Sequence, residues 1–232
     1  MQRILVTGSN RGLGLEFVRQ LLARGDRVIA TCRRPGRALV LTELAAEHPG
    51  HLHVLPLDLA SERSIAECAR EAAALTDALD ALINNAGMLV SGERFGAIAQ
   101  KSLMESFASN VAGPVLLTQA LCPLLEKGKN SKVLNLTSRL ASIAGTASFG
   151  TPSYAMSKAA LNMATRQLAA ALGAHGVTVF CASPGWVRTD MGGDNAPLTA
   201  RESAAGLIKV LDAATPATTG RFLDYAGAAI AW

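Results

Sequence analysis

Seven short apolar runs, alternating with longer helix-like stretches, constrain this chain most. The runs, rich in Val, Ile and Leu, cover residues 3–6, 27–31, 52–56, 81–84, 132–136, 178–182 and 220–223. Helices are expected between them, over residues 12–24, 39–47, 61–75, 104–125, 154–174 and 199–211. Strand–helix alternation of this kind predicts a parallel sheet covered by helices on both faces. Right-handed crossovers then wind it into a Rossmann-type, doubly wound α/β fold of about seven strands. With 50% hydrophobic residues but only 4% aromatic ones, the chain has the Ala, Leu and Val that two-faced strands require. No repeat or Pro/Ser-rich linker divides its 232 residues, so one domain over 1–232 is expected.

Charge excludes several function classes. The net charge is +4 and the pI about 9.1. The one dense basic cluster, Arg33-Arg34-Pro35-Gly36-Arg37, has no interleaved aromatics. A small anionic ligand suits it better than nucleic acid. Cys32, Cys68, Cys122 and Cys181 are scattered without metal spacing, which predicts reduced thiols in a cytoplasmic protein. His48, His51 and His53 have no partner at ligand spacing, so no metal is expected. No signal peptide opens the chain, and no apolar run is read as long enough to span a membrane.

Two short motifs carry chemistry. After the first strand comes Thr7-Gly8-Ser9-Asn10-Arg11-Gly12-Leu13-Gly14. Glycines allow a tight turn and close approach of phosphate to the backbone, and the following helix points its N–H groups at a pyrophosphate. Further on, Tyr154 and Lys158 stand four apart, one above the other on a helix face. A phenol titrates near pH 10 when alone, and an ammonium beside it is expected to draw that value toward neutrality.

The spacing Gly-x-x-x-Gly-x-Gly, together with Tyr154-x-x-x-Lys158, resembles the short-chain dehydrogenase/reductase family. Asn84-Asn85-Ala86-Gly87, Ser109-Asn110-Val111, Thr137-Ser138 and Pro184-Gly185-Trp186-Val187-Arg188-Thr189 follow in the family's order. The wording of the Gly-rich and Pro184 stretches, with Asp190-Met191-Gly192-Gly193 and 220–225, is similar to the C-factor and sniffer-type carbonyl reductase branch. The resemblance implies a catalytic set of Asn110, Ser138, Tyr154 and Lys158. It implies cofactor contacts at Gly8, Ser9, Asn10, Arg11, Gly12, Leu13 and Gly14, at Asp58 and Leu59 beside the adenine, and at Asn85, Ala86 and Gly87. Pro184, Gly185, Val187 and Thr189 would hold the nicotinamide, and Tyr154 and Lys158 would meet its ribose. The stretch from Ser138 to Tyr154 is longer than is usual in the family.

Cofactor choice is read at the end of the second strand. An NAD enzyme usually places a carboxylate there for the ribose 2′-hydroxyl. This chain has Cys32 and then Arg33, which favours a 2′-phosphate and hence NADP(H) over NAD(H). Arg11 is expected to add a second guanidinium nearby. The implied reaction is hydride transfer between NADPH and a small carbonyl or alcohol substrate, with Tyr154 as proton donor and Ser138 holding the oxygen. Lys158 would lower the Tyr154 pKa, and Asn110 would position a water that relays protons to Lys158. Met88, Leu89, Leu140, Phe149, Trp186 and Met191 suggest an apolar pocket, while Arg139 and Arg188 keep an anionic substrate open. The alternative is a nucleotide-binding signalling or sensor protein of the C-factor type with little turnover. The apolar faces of helices 104–125 and 154–174 suggest a homodimer.

Overall fold

The computed structural model describes residues 1–232. The strands are β1 (Arg3–Thr7), β2 (Arg27–Cys32), β3 (Leu52–Pro56), β4 (Ala81–Asn84), β5 (Lys132–Leu136), β6 (Thr178–Ser183), β7 (Val187–Arg188), β8 (Leu198–Thr199) and β9 (Phe222–Asp224). Seven of them form one parallel sheet in the order β3-β2-β1-β4-β5-β6-β9. The doubly wound fold expected from the alternation is therefore present. Its strand order reverses between β1 and β4, and a crevice opens there at the carboxyl ends of the strands.

Period-two alternation sorts each strand between two cores. Ile4 and Val6 pack with Phe17, Leu21 and Leu207 on one face, while Leu5 packs with Leu82, Leu117 and Val179 on the other. The helices are α1 (Gly12–Ala23), α2 (Leu39–Glu47), α3 (Glu62–Leu75), α4 (Gln100–Phe107), α5 (Gly113–Leu125), α6 (Pro152–Leu172) and α7 (Ala200–Ala213).

Four departures from expectation are found. The helix expected over 104–125 begins at Gln100 and widens into a π-turn at Ala108–Ala112, where the Gly113 N–H reaches the Ala108 carbonyl. Pro114 has no N–H for the Asn110 carbonyl four residues back, so the ordinary ladder breaks there. Second, the stretch Gln100–Leu125, 26 residues long and holding an 18-residue window of mean hydropathy 1.3, is long and apolar enough to cross a bilayer, contrary to the sequence reading. Half of its most apolar window is buried within the fold, as in a core helix. The last strand also starts later than expected, because Gly220 turns at φ 72° before it. The β7–β8 ribbon, two residues a side, has no sequence signal long enough to see.

At the opposite end of the sheet, Asp80 ties three segments together. Its carboxylate is 7% exposed. It accepts from the Arg3 N–H at 2.8 Å, from Arg3 Nε at 3.0 Å and Nη2 at 2.8 Å, and from the Lys129 N–H at 2.8 Å. Burial pushes this carboxyl up, but Arg3 and the two backbone donors outweigh it and hold the carboxyl below its ordinary range. A depressed carboxyl contributes stability that is present above its unfolded pKa and is lost as pH falls through the folded value. Asp80→Ala should therefore cost about 2–4 kcal/mol at pH 7 in urea unfolding. The gap from wild type should narrow below about pH 4.

Candidate active site

The Gly-rich turn between β1 and α1 packs against the end of β4 with no room for side chains. Gly8 has φ 67°, and a Cβ on it would lie 2.9 Å from the Ala86 Cα. A Cβ on Gly14 would lie 2.1 Å from the Gly8 carbonyl oxygen and 2.6 Å from Asn85 Nδ2. Asn85 fastens the contact: its Nδ2 donates to the Thr7 carbonyl at 2.7 Å and to the Gly8 carbonyl at 3.2 Å. The Ala86 N–H donates to Thr7 Oγ1 at 2.9 Å. Helix α1 then starts with no capping side chain and no acidic residue in its first turn. Its leading N–H groups are left for an anion.

A cleft of about 840 Å³ runs along these strand ends. Gly8, Asn10, Arg11, Gly12, Leu13 and Gly14 line one part, with Arg33, Asp58 and Leu59 beyond them. Asn85, Ala86 and Gly87 form the floor, and Pro184, Gly185, Val187 and Thr189 the facing wall. Ser9 lies behind the cleft rather than in it. Its N–H is taken by the Thr31 carbonyl and its hydroxyl by the Val6 carbonyl, both at 2.9 Å. Arg11 lines the cleft with its Nη1 paired to Asp190 Oδ2 at 2.7 Å. Arg33 makes no ion pair, so it is the freer of the two guanidinium groups.

The glycine cradle, the uncapped helix and the cleft's size all fit a dinucleotide, for which pockets of roughly 300–1,000 Å³ are usual. Thr31 adds an indication the motifs did not single out. Its hydroxyl is fully buried at the cleft wall with no partner in the protein.

At the other end stand Ser138, Tyr154 and Lys158, all on the cleft wall. Lys158 is 3% exposed, and its Nζ donates to the Leu136 carbonyl at 2.7 Å. No carboxylate pairs with it, so burial pulls its pKa down to about 8. Tyr154 is also buried, with its ring centroid 5.7 Å from Lys158 Nζ. The expected lowering of the phenol by Lys158 is not found among the protein's own groups. Burial pushes Tyr154 up, and the Ser138 hydroxyl offsets part of that. Ser138 caps the turn at Arg139–Ala141, accepting from the Leu140 N–H at 3.2 Å.

Asn110 is fully buried and does not reach the cleft wall. Its Oδ1 accepts from the Met88 N–H at 2.8 Å, and its Nδ2 donates to the Met88 carbonyl and to Ser157 Oγ, both at 2.9 Å. Ser157 in turn donates to the Tyr154 carbonyl at 2.8 Å. Ser157, three residues after Tyr154, is a site residue that sequence reasoning missed; a hydroxyl one turn along the same face was the available signal. Met88, Leu89, Leu140, Trp186 and Met191 line the apolar end, whereas Phe149 lies off it against Phe95. Arg139 borders the cleft but pairs with Asp224 at 3.2 Å. Arg188 lies outside, donating to the Ala196 carbonyl at 3.1 Å.

Residues 2–198 match the family model described as short chain dehydrogenase. The chain belongs to the short-chain dehydrogenase family. Its relatives include C-signal from Myxococcus xanthus, 40% identical over 157 residues, 68% of this chain and 95% of the relative. Among solved structures, the NADPH-bound carbonyl reductase from chicken fatty liver superposes with a TM-score of 0.94 at 35% identity, covering 100% of this chain and 99% of that one. Carbonyl reductase Sniffer of D. melanogaster gives 0.95 at 32% identity, with 100% of both chains covered. The resemblance to the C-factor and sniffer-type branch is thus found on both counts. As a short-chain dehydrogenase the chain is an oxidoreductase built to bind a nicotinamide cofactor.

The buried ammonium makes a stability prediction. A lysine whose folded pKa is about 8 against an ordinary 10.5 destabilises the fold fully below pH 8, and the penalty is relieved as pH rises toward 10.5. A shift of that size corresponds to about 3 kcal/mol, less the bond to Leu136. Lys158→Met should therefore stabilise the cofactor-free protein by about 1–3 kcal/mol at pH 7. Urea unfolding at pH 7 and pH 10 checks it, the advantage shrinking at the higher pH.

Proposed function

We propose that the chain is an NADP(H)-dependent reductase of small apolar carbonyl compounds, cytoplasmic and acting as one catalytic domain over 1–232. The observation that carries this reading is the meeting of Ser138, Tyr154 and Lys158 at one end of a cleft whose other end is the Gly-rich turn. When bound, a reduced nicotinamide supplies the hydride. Tyr154, raised by burial, holds its proton at neutral pH, the state from which it donates to the substrate oxygen as charge develops there. Ser138 hydrogen-bonds the same oxygen as a preorganised donor. Lys158, anchored on Leu136, supplies a fixed cation behind the phenolate that donation leaves. A Cβ on Gly87 would lie 3.3 Å from Lys158 Nζ and 3.4 Å from Asn110 Oδ1. Glycine thus leaves room beside the two groups, which supports a water, positioned by Asn110, that relays protons to Lys158.

Arg33, directly after Cys32 and free of ion pairs, supports binding of a 2′-phosphate and so NADP(H) over NAD(H). Cysteines that are all free support a reducing compartment. The apolar end, formed by Met88, Leu89, Leu140, Trp186 and Met191, supports an uncharged aldehyde or ketone. Exposed Met104, Phe107, Met156 and Met163 on α4 and α6 support a homodimer. Identity with C-signal favours a second reading, a nucleotide-binding signalling protein with little turnover. A pure binder, however, has no use for a proton donor, an oxygen-holding hydroxyl and a buried ammonium set together.

Tyr154→Phe deletes one hydroxyl from a packed ring. NADPH should bind within about twofold of wild type while turnover of a carbonyl panel, followed at 340 nm, falls by at least ~10³-fold. Wild-type-like turnover in that variant would end the proposal. For cofactor choice, Arg33→Ala should weaken NADPH by about 10–100-fold and leave NADH unchanged, measured as kcat/KM for each.

A further inference from the structure

Helix α6 carries both Tyr154 and Lys158, yet its own sequence does not cap it. Thr151 precedes it in the left-handed region at φ 39° and makes no capping bond; Pro152 has no N–H, and the first turn holds no acidic residue. Ser153 follows, 1% exposed, with an N–H and a hydroxyl that burial would orphan. Glu93, 60 residues earlier, takes both. The Ser153 N–H donates to Glu93 Oε2 at 3.1 Å, and the Ser153 hydroxyl donates to Oε1. No cation pairs with this half-buried carboxylate, so the helix end is its partner. A carboxylate there meets both the free N–H and the positive end of the helix dipole.

Glu93 belongs to the segment between β4 and α4, which is fastened at several points. At its start, the N–H and carbonyl of Met88 are held by Asn110, whose amide also holds Ser157 and, through it, the Tyr154 carbonyl. Beyond Glu93, Phe95 meets Phe149 edge-on at 5.9 Å, with rings 88° apart. The wall of the apolar end and the first turn of α6 are thereby linked on both sides of Tyr154.

We propose that Glu93 is a positioning residue: a cap supplied from a distant segment of the same chain that fixes the first turn of α6, and hence the Tyr154 hydroxyl, relative to Ser138 and the Met88 wall. This rests on the reductase reading. Glu93 touches no reacting atom and acts through Ser153. A displacement of the proton donor of about 1 Å is enough to cost ~10²-fold in rate.

The test compares Glu93→Ala, Glu93→Gln and wild type with NADPH. The readouts are kcat and KM on the carbonyl panel, the NADPH Kd, and amide hydrogen exchange at Ser153 and Tyr154. Glu93→Ala should lower kcat by about 10–100-fold, leave the NADPH Kd within about twofold and speed exchange at both amides. Glu93→Gln can accept from the Ser153 N–H and donate to its hydroxyl, so it should restore kcat to within about threefold of wild type. A kcat for folded Glu93→Ala within about twofold of wild type overturns the proposal, as does a loss that glutamine does not rescue. If wild type itself reduces no carbonyl, the reductase reading fails on its own. Exchange still judges the cap, because unchanged exchange at Ser153 and Tyr154 in Glu93→Ala refutes it.

Discussion

The site depends on one close approach, that of the Gly8 carbonyl to Gly14 and to the Asn85 amide. The parallel sheet delivers β1 and β4 side by side, and their carboxyl ends diverge into turns that would otherwise spread apart. Asn85 closes that gap by donating to the carbonyls of Thr7 and Gly8, and the missing Cβ at Gly14 lets α1 rise directly behind them. The helix thus begins at the crevice with its first N–H groups facing outward, while Gly87, two residues past Asn85, opens the floor toward Lys158 and Asn110. One latch therefore sets both the anion site and the floor beneath the reacting groups.

How far this was legible in the sequence depends on what each feature is made of. Strands buried on both faces read clearly, since continuous Val, Ile and Leu have few other destinations, and the sheet strands through β6 were found to within a residue or so. The Gly-rich turn and the Tyr154–Lys158 spacing were legible because local geometry alone fixes them. What escaped was long-range pairing. Nothing in the Gly-rich motif says that Arg11 meets Asp190, 179 residues away, or that Ser9 turns inward to Val6 and Thr31. The π-turn escaped too, because a helical apolar period continues through it and Pro114 is its one mark.

The Tyr154–Lys158 pair shows the same limit in electrostatics. A spacing argument places a cation beside a phenol and counts their Coulomb interaction. It cannot count burial, which acts on both groups and favours their neutral forms. The pair thus holds a phenol that keeps its proton and an ammonium that gives one up more readily than an ordinary lysine. That ordering suits proton delivery from Tyr154 followed by resupply through Lys158.

Such a site works only if its geometry is held from outside, because the buried cation tends to loosen it. Lys158 has no carboxylate to pin it, Tyr154 sits in the first turn of a helix that lacks its own cap, and Thr151 before it adopts a left-handed backbone that a non-glycine residue holds only under constraint. The constraints come from other segments: the Leu136 carbonyl of β5, the Asn110 amide of the π-turn through Ser157, and the Glu93 carboxylate. Each reaches α6 from a different element, and together they fix the helix at its first turn, at the Ser157 hydroxyl and at Lys158 Nζ. A helix held at those three points cannot slide or rotate without breaking a buried hydrogen bond, so the strain around the proton donor is sustained by the fold rather than by the helix itself.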